Sequence, residues 1–267
     1  MIYKLYNNEI EMDFNEGVHR YKVNGEYKEG VTTLINSVTS KDGLISWAAN
    51  LSANTFRDNI RRVLDRTGTI TDNDIENASD TARKAHTAKK DKGADTGTEV
   101  HKLIADYIAL KLQGVESTIV SSNTQVQHSL SAFNHWQETY NPAYIHSEKP
   151  IYSKQYDYCG TFDCLANIKG KLTMIDFKTA NPNANWKTGE VKPYPKDFIQ
   201  CSAYDEAYTE EYGSGCDQYM VVYVTKTGEL YVFVDEDIEE TKKAWVCALT
   251  LARHNKVLNT KKLHNKS

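Results

Sequence analysis

The chain has 267 residues, of which 40% are hydrophobic and 25% are charged, and its formal net charge is −4 at pH 7. This composition is ordinary for a globular protein and excludes wholesale disorder and a collagen-like repeat. No stretch approaches the roughly 18 consecutive apolar residues that a membrane helix requires. The first residues also lack the apolar core of a secretory signal. We therefore expect a soluble, cytoplasmic protein with no membrane partner.

The cysteines favour a reducing compartment. Their number is odd, no two are spaced as Cys-x-x-Cys, and they stand at positions 159, 164, 201, 216 and 247. Such a pattern argues against both a disulfide framework and a zinc ribbon. We expect them to be small buried hydrophobic side chains.

The first half of the chain reads as helices joined by short polar turns. Residues 10–40 predict a small hairpin, with Asn24 and Gly25 as its turn, that leads into a helix. Thr96 and Glu99 have the spacing of a capping box, which predicts that a new helix begins there. Apolar periodicity predicts the further helices at 44–66, 72–91, 97–112 and 122–140.

The second half changes to the alternation of strands, and all five prolines and all cysteines lie there. Lys169 and Gly170 form a turn signal between two of the predicted strands. A loop that contains Pro182, Pro193 and Pro195 interrupts the strands. The predicted order is strands 144–153, 158–169 and 171–179, helix 196–212, strands 218–225 and 229–234, and helix 236–254.

This order predicts an α/β fold in which helices flank a mixed β-sheet built mainly after residue 144. No linker or internal repeat divides the sequence. We therefore predict a single domain over 1–267, with a mainly helical part at 1–141 and a sheet-bearing part at 142–267.

The distribution of charged residues along the chain indicates more about binding partners than the net charge does. Residues 83–92 contain five Lys or Arg and one Asp, and residues 253–267 contain five Lys or Arg and no acid. A polyanion can bind such a surface locally, although the whole chain is acidic. The alternative is a solvated helix face and a frayed tail.

The most informative pattern is a Gly-Thr-Phe-Asp sequence that ends at Asp163, followed by Asp176-Phe177-Lys178 on the next predicted strand. Side chains alternate along a strand, so Asp176 and Lys178 point to one face and Phe177 points to the other. Burying two acids and a lysine among apolar residues costs free energy unless a cation or a partner compensates. Carboxylates suit Mg²⁺ and Mn²⁺. The alternative is an ion pair at the end of a strand.

The Gly-Thr-Phe-Asp and Asp-Phe-Lys patterns resemble the motifs of the PD-(D/E)xK nuclease superfamily. The resemblance is to its RecB-type branch, which includes bacteriophage exonucleases and the mitochondrial genome maintenance exonuclease. Segment 30–50 also resembles the opening of the phage members, and the motifs keep their order over residues 30–225. The remaining matches are the Gly-Thr-x-x-His motif ending at His101, the Gln200-x-x-x-Tyr204 motif, and Glu148 at a recurring acidic position.

Two positions depart from the family pattern. Many relatives carry Glu four residues after the motif histidine, where this chain has Ala105 followed by Asp106. The first aspartate motif also lacks its proline. Taken singly, each motif residue has a plainer interpretation: His101 as a core residue, Gln200 and Tyr204 as helix surface, and Glu148 as an exposed strand residue.

The resemblance implies a restriction-endonuclease-like core that hydrolyses phosphodiester bonds with Mg²⁺ or Mn²⁺. Lys178 is then expected to orient the attacking water or to neutralise charge on the phosphate. Gln200 and Tyr204 are expected to position Lys178 or the substrate. The implied metal ligands are His101, Asp163, Asp176 and the backbone carbonyl of Phe177. Members with an iron–sulfur cluster carry one upstream cysteine, and this chain has none before Cys159, so we expect no cluster.

The resemblance also indicates a polymeric substrate. The N-terminal helices are expected to cover the site, where Lys89, Lys90 and Lys92 contact phosphates without reading bases. Single-stranded DNA or duplex ends are the expected partners, and an exonuclease of phage-type replication or recombination in the host cytoplasm is the expected role. The alternatives are a non-catalytic DNA-binding protein, a structure-specific endonuclease, and a phosphohydrolase of small nucleotides. Polarity and protein partners are not indicated.

Overall fold

The structure is a computed structural model that describes residues 1–15, 17–18, 20–40, 42–184 and 188–264. The chain separates into two compact units. One consists of Met1–Thr39 together with Glu99–Ser267, and the other is Ser40–Thr98. The single domain over 1–267 stays a prediction, and each unit is described by itself below.

In the described residues of the larger unit, the strands form one nine-stranded sheet and a separate two-stranded ribbon. The sheet runs in the order β1-β2-β3-β4-β6-β7-β10-β11, and β5 pairs with β6. The ribbon joins β8 to β9. The strands are β1 (Ile2–Leu5), β2 (Ile10–Asn15), β3 (Arg20–Val23), β4 (Glu26–Gly30), β5 (Ala143–Ser153), β6 (Tyr158–Ile168), β7 (Lys171–Lys178), β8 (Asn183–Ala184), β9 (Val191–Lys192), β10 (Gln218–Val224) and β11 (Leu230–Asp235).

The helices account for most of the remaining chain. Pro195 is the first residue of α5, where its missing N–H costs nothing because the first turn of a helix has no internal acceptor for it. The helices are α1 (Val31–Val38), α2 (Asp42–Thr67), α3 (Asp72–Leu112), α4 (Thr124–Tyr140), α5 (Pro195–Tyr212) and α6 (Ile238–His264). In the described part of the chain, no helix combines the length and apolar content needed to cross a membrane.

The predicted fold class is confirmed: helices flank a mixed sheet. Strands β7 and β10 are parallel, as are β4 and β6, whereas the other neighbours in the sheet are antiparallel. The sheet lies mainly after residue 144, as expected, and the N-terminal strands add to it. Glu29 and Gly30 of β4 pair with Tyr158 and Cys159, so the N-terminal strands continue the same sheet.

Both predicted turn signals form hairpin turns. Asn24 and Gly25 join β3 to β4 with φ values of 48° and 86°, and Lys169 and Gly170 join β6 to β7 with φ values of 53° and 87°. Two successive residues with positive φ are the mark of a type I′ turn, whose twist matches that of the flanking strands.

Alternation along the central strands builds a core on each face of the sheet. Leu165 and Met174 face a core to which α1, α5 and α6 contribute. Cys164, Ile175 and Phe177 face the other core, against α3 and α4. The ring of Phe177 packs edge-on against the rings of Phe133 and Trp136. This division places the side chains of Asp176 and Lys178 on the α5 face.

The predicted boundary between two helices at 91–97 was wrong. Residues Asp72–Leu112 form one helix, and Thr96 is buried inside it. This segment contains no proline, and a glycine inside a helix costs only about 1 kcal/mol, so helix propagation continues through Gly93. Glu99 is likewise not a capping residue; its Oε1 accepts a hydrogen bond from Ser121 Oγ at 2.9 Å.

Candidate active site

Neighbouring strands bring the two motif aspartates together. The pairing of β6 with β7 ends at Cys164 and Ile175, so Asp163 and Asp176 each stand next to this last pair. The backbone N–H of Phe177 donates a hydrogen bond to Asp163 Oδ2 at 2.8 Å. This bond fixes the Asp163 carboxylate against the strand that carries Asp176 and Lys178.

Asp176 is a buried carboxylate with an incomplete set of partners. Its side chain is only 2% exposed, and its Oδ2 has no hydrogen-bond donor among the described residues. Lys178 Nζ lies 2.7 Å from that oxygen and forms an ion pair with it. Burial raises the pKa of Asp176 to about 7, although the charge of Lys178 opposes the shift. A cation beside Asp176 would favour its ionised form.

Lys178 begins a chain of hydrogen bonds into α5. Its Nζ donates to Gln200 Oε1 at 3.2 Å, and Gln200 Nε2 donates to the Tyr204 hydroxyl at 2.8 Å. Burial alone would lower the pKa of Lys178, but the charges of Asp176 and Asp197 outweigh it and the pKa is raised. The ammonium therefore stays protonated and acts as a fixed positive charge and donor.

The glycine of the Gly-Thr-Phe-Asp motif makes room for Tyr204. A Cβ atom at Gly160 would lie 2.6 Å from Tyr204 Cε1, closer than real carbon atoms approach. The ring of Tyr204 thus packs directly on the β6 backbone, and its hydroxyl is held where Gln200 reaches it. Gly160 does not have a positive φ, so its backbone conformation does not require a glycine. The close approach of the Tyr204 ring does.

His101 on α3 faces Asp163. Its Nδ1 lies 3.6 Å from Asp163 Oδ2, and its side chain is 33% exposed. The structure therefore does not support the alternative in which His101 is a buried core residue. The imidazole and the carboxylate instead converge at the surface of the larger unit.

Glu148 lies on the opposite side of Asp163, on β5. Its neighbours Ser147 and Lys149 pair with Cys164 and Phe162, which places Glu148 across from Asp163 in the register. The side chain is exposed. Its φ of 46° lies in the left-handed region, an uncommon and strained conformation for a non-glycine residue.

Asp197 is a neighbour of the site that sequence reasoning missed. It is buried, its carboxylate accepts a hydrogen bond from the Tyr223 hydroxyl, and its charge contributes to the raised pKa of Lys178. A cavity of about 210 Å³ opens beside Lys178, Gln200 and Asp197. In the sequence, Asp197 looks like an ordinary acid in the first turn of a helix, where the helix dipole favours it.

The residue types fit a hard divalent cation. Asp176 Oδ2 is a buried oxygen without a hydrogen-bond donor among the described residues, and Asp163 adds a second carboxylate. Carboxylate oxygens with one imidazole suit Mg²⁺ and, more strongly, Mn²⁺. Within the described ranges, however, no three His, Cys, Asp or Glu side chains stand close enough to hold an ion as they are placed. His101, Asp163 and Asp176 come into one neighbourhood without forming a closed metal cluster.

The predicted phosphate-contacting lysines belong to the other unit, Ser40–Thr98. Lys89 and Lys90 are exposed on α3. The backbone of Lys92 continues the same helix, and its side chain lies outside the described residues. Their role as a nucleic-acid contact stays a prediction.

Comparison with known proteins gives limited results. No family model matches the chain, and no curated protein matches it. Solved structures with a similar arrangement include a candidate exonuclease from Eubacterium rectale, at 12% identity and a TM-score of 0.42 over 62% of this chain and 68% of that one. Another is an alkaline exonuclease from Laribacter hongkongensis, at 16% identity and a TM-score of 0.27 over 60% and 84%. These values are too low to assign an activity, so the proposal below depends on the chain's own residues.

Proposed function

We propose that the chain is a divalent-metal-dependent nuclease that hydrolyses phosphodiester bonds, and specifically a single-stranded DNA exonuclease of the RecB-type branch of PD-(D/E)xK nucleases. One observation carries the proposal. A protonated lysine, Lys178, is aligned by Gln200 and Tyr204 directly beside Asp176, a buried carboxylate with one oxygen that accepts no hydrogen bond from the described residues. A structural ion pair does not need such a relay, whereas a site that stabilises phosphate charge does.

His101, Asp163, Asp176 and the carbonyl of Phe177 would hold Mg²⁺ or Mn²⁺. When bound, such an ion polarises a phosphoryl oxygen and lowers the pKa of a water molecule. The Phe177 N–H keeps the Asp163 carboxylate oriented toward this position. Because Phe177 is anchored by Phe133 and Trp136 on the opposite face, the strand itself fixes the geometry.

Lys178 supplies charge to the phosphate. Its raised pKa means that it does not act as a general base at neutral pH. It instead donates hydrogen bonds to a non-bridging phosphate oxygen, where negative charge builds up as the bond breaks. Gln200 accepts one of its three hydrogens, which leaves the other two for the phosphate. Gln200 and Tyr204 are therefore positioning residues.

A polymeric, single-stranded substrate is the more specific part of the proposal. The exposed Lys89 and Lys90 support phosphate contacts outside the site. The resemblance to phage exonucleases suggests a role in replication or recombination. Duplex ends are a second possible substrate, and a structure-specific endonuclease is the alternative activity.

Degradation of end-labelled linear single-stranded DNA, compared with a circular single strand of the same sequence, tests this function. With Mg²⁺ or Mn²⁺, we expect the linear strand to be degraded and the circle to survive. Cleavage of both would identify an endonuclease, and cleavage of neither would contradict a nuclease. Asp176→Asn serves as the inactive variant. Asp13→Asn is the matched control, because Asp13 is an exposed aspartate of the same unit that lies outside the site.

A further inference from the structure

A second cavity of the larger unit lies outside the proposed active site. It measures about 680 Å³, within the roughly 300–1,000 Å³ typical of small-ligand pockets. It opens between the C-terminal ends of α3 and α4, the loop that joins them, and the start of β5. None of the residues assigned to metal binding or to the Lys178 relay lines it.

An ordered pair of amides forms one wall of this cavity. The Tyr144 hydroxyl donates to Gln137 Oε1 at 2.8 Å, and Gln137 Nε2 in turn donates to Asn134 Oδ1 at 3.5 Å. Burial raises the pKa of Tyr144, so its hydroxyl remains a donor and fixes the direction of the relay. Each amide still has hydrogen-bonding capacity for a ligand, because an amide offers two donors and two acceptor sites.

The loop between α3 and α4 contributes an unsatisfied group. Ser117 lines the cavity, and its Oγ is buried with no hydrogen-bond partner among the described residues. A buried hydroxyl without a partner costs free energy, which the polar edge of a ligand would recover. Ser117 and the amide pair therefore offer hydrogen bonds to the same space.

The charges around the cavity argue against an anionic ligand. Lys111 Nζ lies 2.5 Å from Glu116 Oε2, so its charge is already paired, and Glu138 adds a negative charge to the lining. The ring of Tyr107 forms an aromatic wall, held edge-on against Phe133. These features suit a flat, neutral group with hydrogen-bonding edges rather than a phosphate.

We propose that this cavity, here named the base pocket, receives one unpaired nucleobase of the nucleic-acid strand. The inference rests on the proposed function and adds a base contact to it. Tyr107 follows His101 by six residues on the same helix, which corresponds to about 9 Å along the axis at 1.5 Å per residue. Tyr107 and Tyr144 also pack against the core on the sheet face opposite to Asp176 and Lys178, so the bound base belongs to a nucleotide at a distance from the phosphate that is cleaved.

Binding of single-stranded oligonucleotides in EDTA tests the base pocket without requiring catalysis. A series of strands of one length, each with a single abasic position, is titrated by fluorescence anisotropy. For the wild type, we expect one position at which the abasic site weakens binding about tenfold, the size of one lost base contact. Abasic sites elsewhere should have much smaller effects.

Variants connect that effect to the cavity. Ser117→Ala removes a hydroxyl that has no partner among the described residues, so the fold should be unaffected. Gln137→Leu removes the central amide. Both should weaken binding of the intact strand and reduce the position-dependent defect. Gln125→Leu makes the same change on the exposed surface of α4, outside the cavity, and should behave as the wild type.

Equal affinity for every strand of the series, or an unchanged defect in both cavity variants, would overturn the base pocket. An equal loss in Gln125→Leu would do the same. If the wild type neither bound single-stranded DNA nor cut it in the gel described above, the proposed function itself would fail. Binding and cleavage without a position-dependent defect would reject only the base pocket.

Discussion

Two buried aspartates of the same unit have opposite surroundings. Asp205 is fully buried and accepts hydrogen bonds from Cys216 N at 2.7 Å and from the Tyr219 hydroxyl at 2.8 Å, with Lys242 Nζ at 3.3 Å. Asp176 is almost as buried, yet one of its oxygens lacks a donor among the described residues. The saturated set of donors at Asp205 fits a structural role, whereas the incomplete set at Asp176 fits the proposed role as a metal ligand. The comparison thus separates stability from chemistry.

The largest expected effect is on cleavage. Asp176→Asn should abolish metal-dependent hydrolysis, because it removes the buried anionic oxygen while it keeps the shape of the side chain. The fold should remain nearly intact. Calorimetric titration with Mn²⁺ checks the cause: an affinity equal to that of the wild type would remove Asp176 from the metal site.

The opposite result is expected at Asp205. Asp205→Ala removes the acceptor of the Cys216 N–H and of the Tyr219 hydroxyl, and each buried donor that is left unsatisfied costs about 1–3 kcal/mol of stability. Denaturant unfolding measures this. Below the unfolding transition, activity per folded molecule should stay near that of the wild type. If the Asp205→Ala variant were stable but inactive, Asp205 would not have the purely structural role that distinguishes it from Asp176.

Lys178 is expected to affect the rate more than binding. Lys178→Ala should lower the rate about 10²- to 10³-fold, the cost of losing one donor to transition-state charge. Affinity for single-stranded DNA in EDTA should largely survive. A variant with near wild-type turnover would show that Lys178 is only the ion-pair partner of Asp176.

A pH-dependent difference in stability should also distinguish the two aspartates. The pKa of Asp176 is about 7 in the folded protein, above its ordinary value of 3.8, so ionisation of this group opposes folding. In EDTA, the stability of the folded protein should therefore decrease as the pH rises from about 4 to 7, because Asp176 ionises more readily in the unfolded chain. Asp176→Asn cannot ionise, and its melting temperature should fall less between pH 5 and pH 8. Equal falls in both proteins would contradict the raised pKa.

The smallest expected effect comes from changing charged residues other than the two aspartates. Replacing Lys89, Lys90 and Lys92 by Ala should weaken single-stranded DNA binding about equally for all sequences and flatten its salt dependence. Cleavage at saturating substrate should change little, since no metal ligand is altered. Affinities measured at several salt concentrations test this. Parallel salt slopes with equal affinities would identify these lysines as a solvated helix face.

Local patterns were enough to predict the central strands and the facing carboxylates. Strand alternation predicted that Asp176 and Lys178 share one face, and the hairpin at Lys169 and Gly170 predicted that Asp163 lies across from them. The helical spacing of Gln200 and Tyr204 predicted their shared face. The relay from Lys178 follows from these local rules because each step joins adjacent elements.

Long-range partners could not be predicted in the same way. Nothing in the sequence distinguishes Asp205 from Asp176. The carboxylate of Asp205 accepts hydrogen bonds from donors that other segments of the chain contribute. Asp197 depends in the same way on Tyr223, which comes from β10. The continuity of α3 was missed because a capping-box spacing at Thr96 and Glu99 also occurs inside helices.

The contact between Gly160 and Tyr204 has a practical consequence for enzyme design. Because a methyl group at position 160 would meet the tyrosine ring at 2.6 Å, an alanine there acts as a wedge on the support of Lys178. Such a wedge changes no ionisable group. If the chain is the nuclease proposed above, an alanine at position 160 should slow turnover while the charges that contact the substrate are preserved, which would allow an uncleaved complex to be trapped.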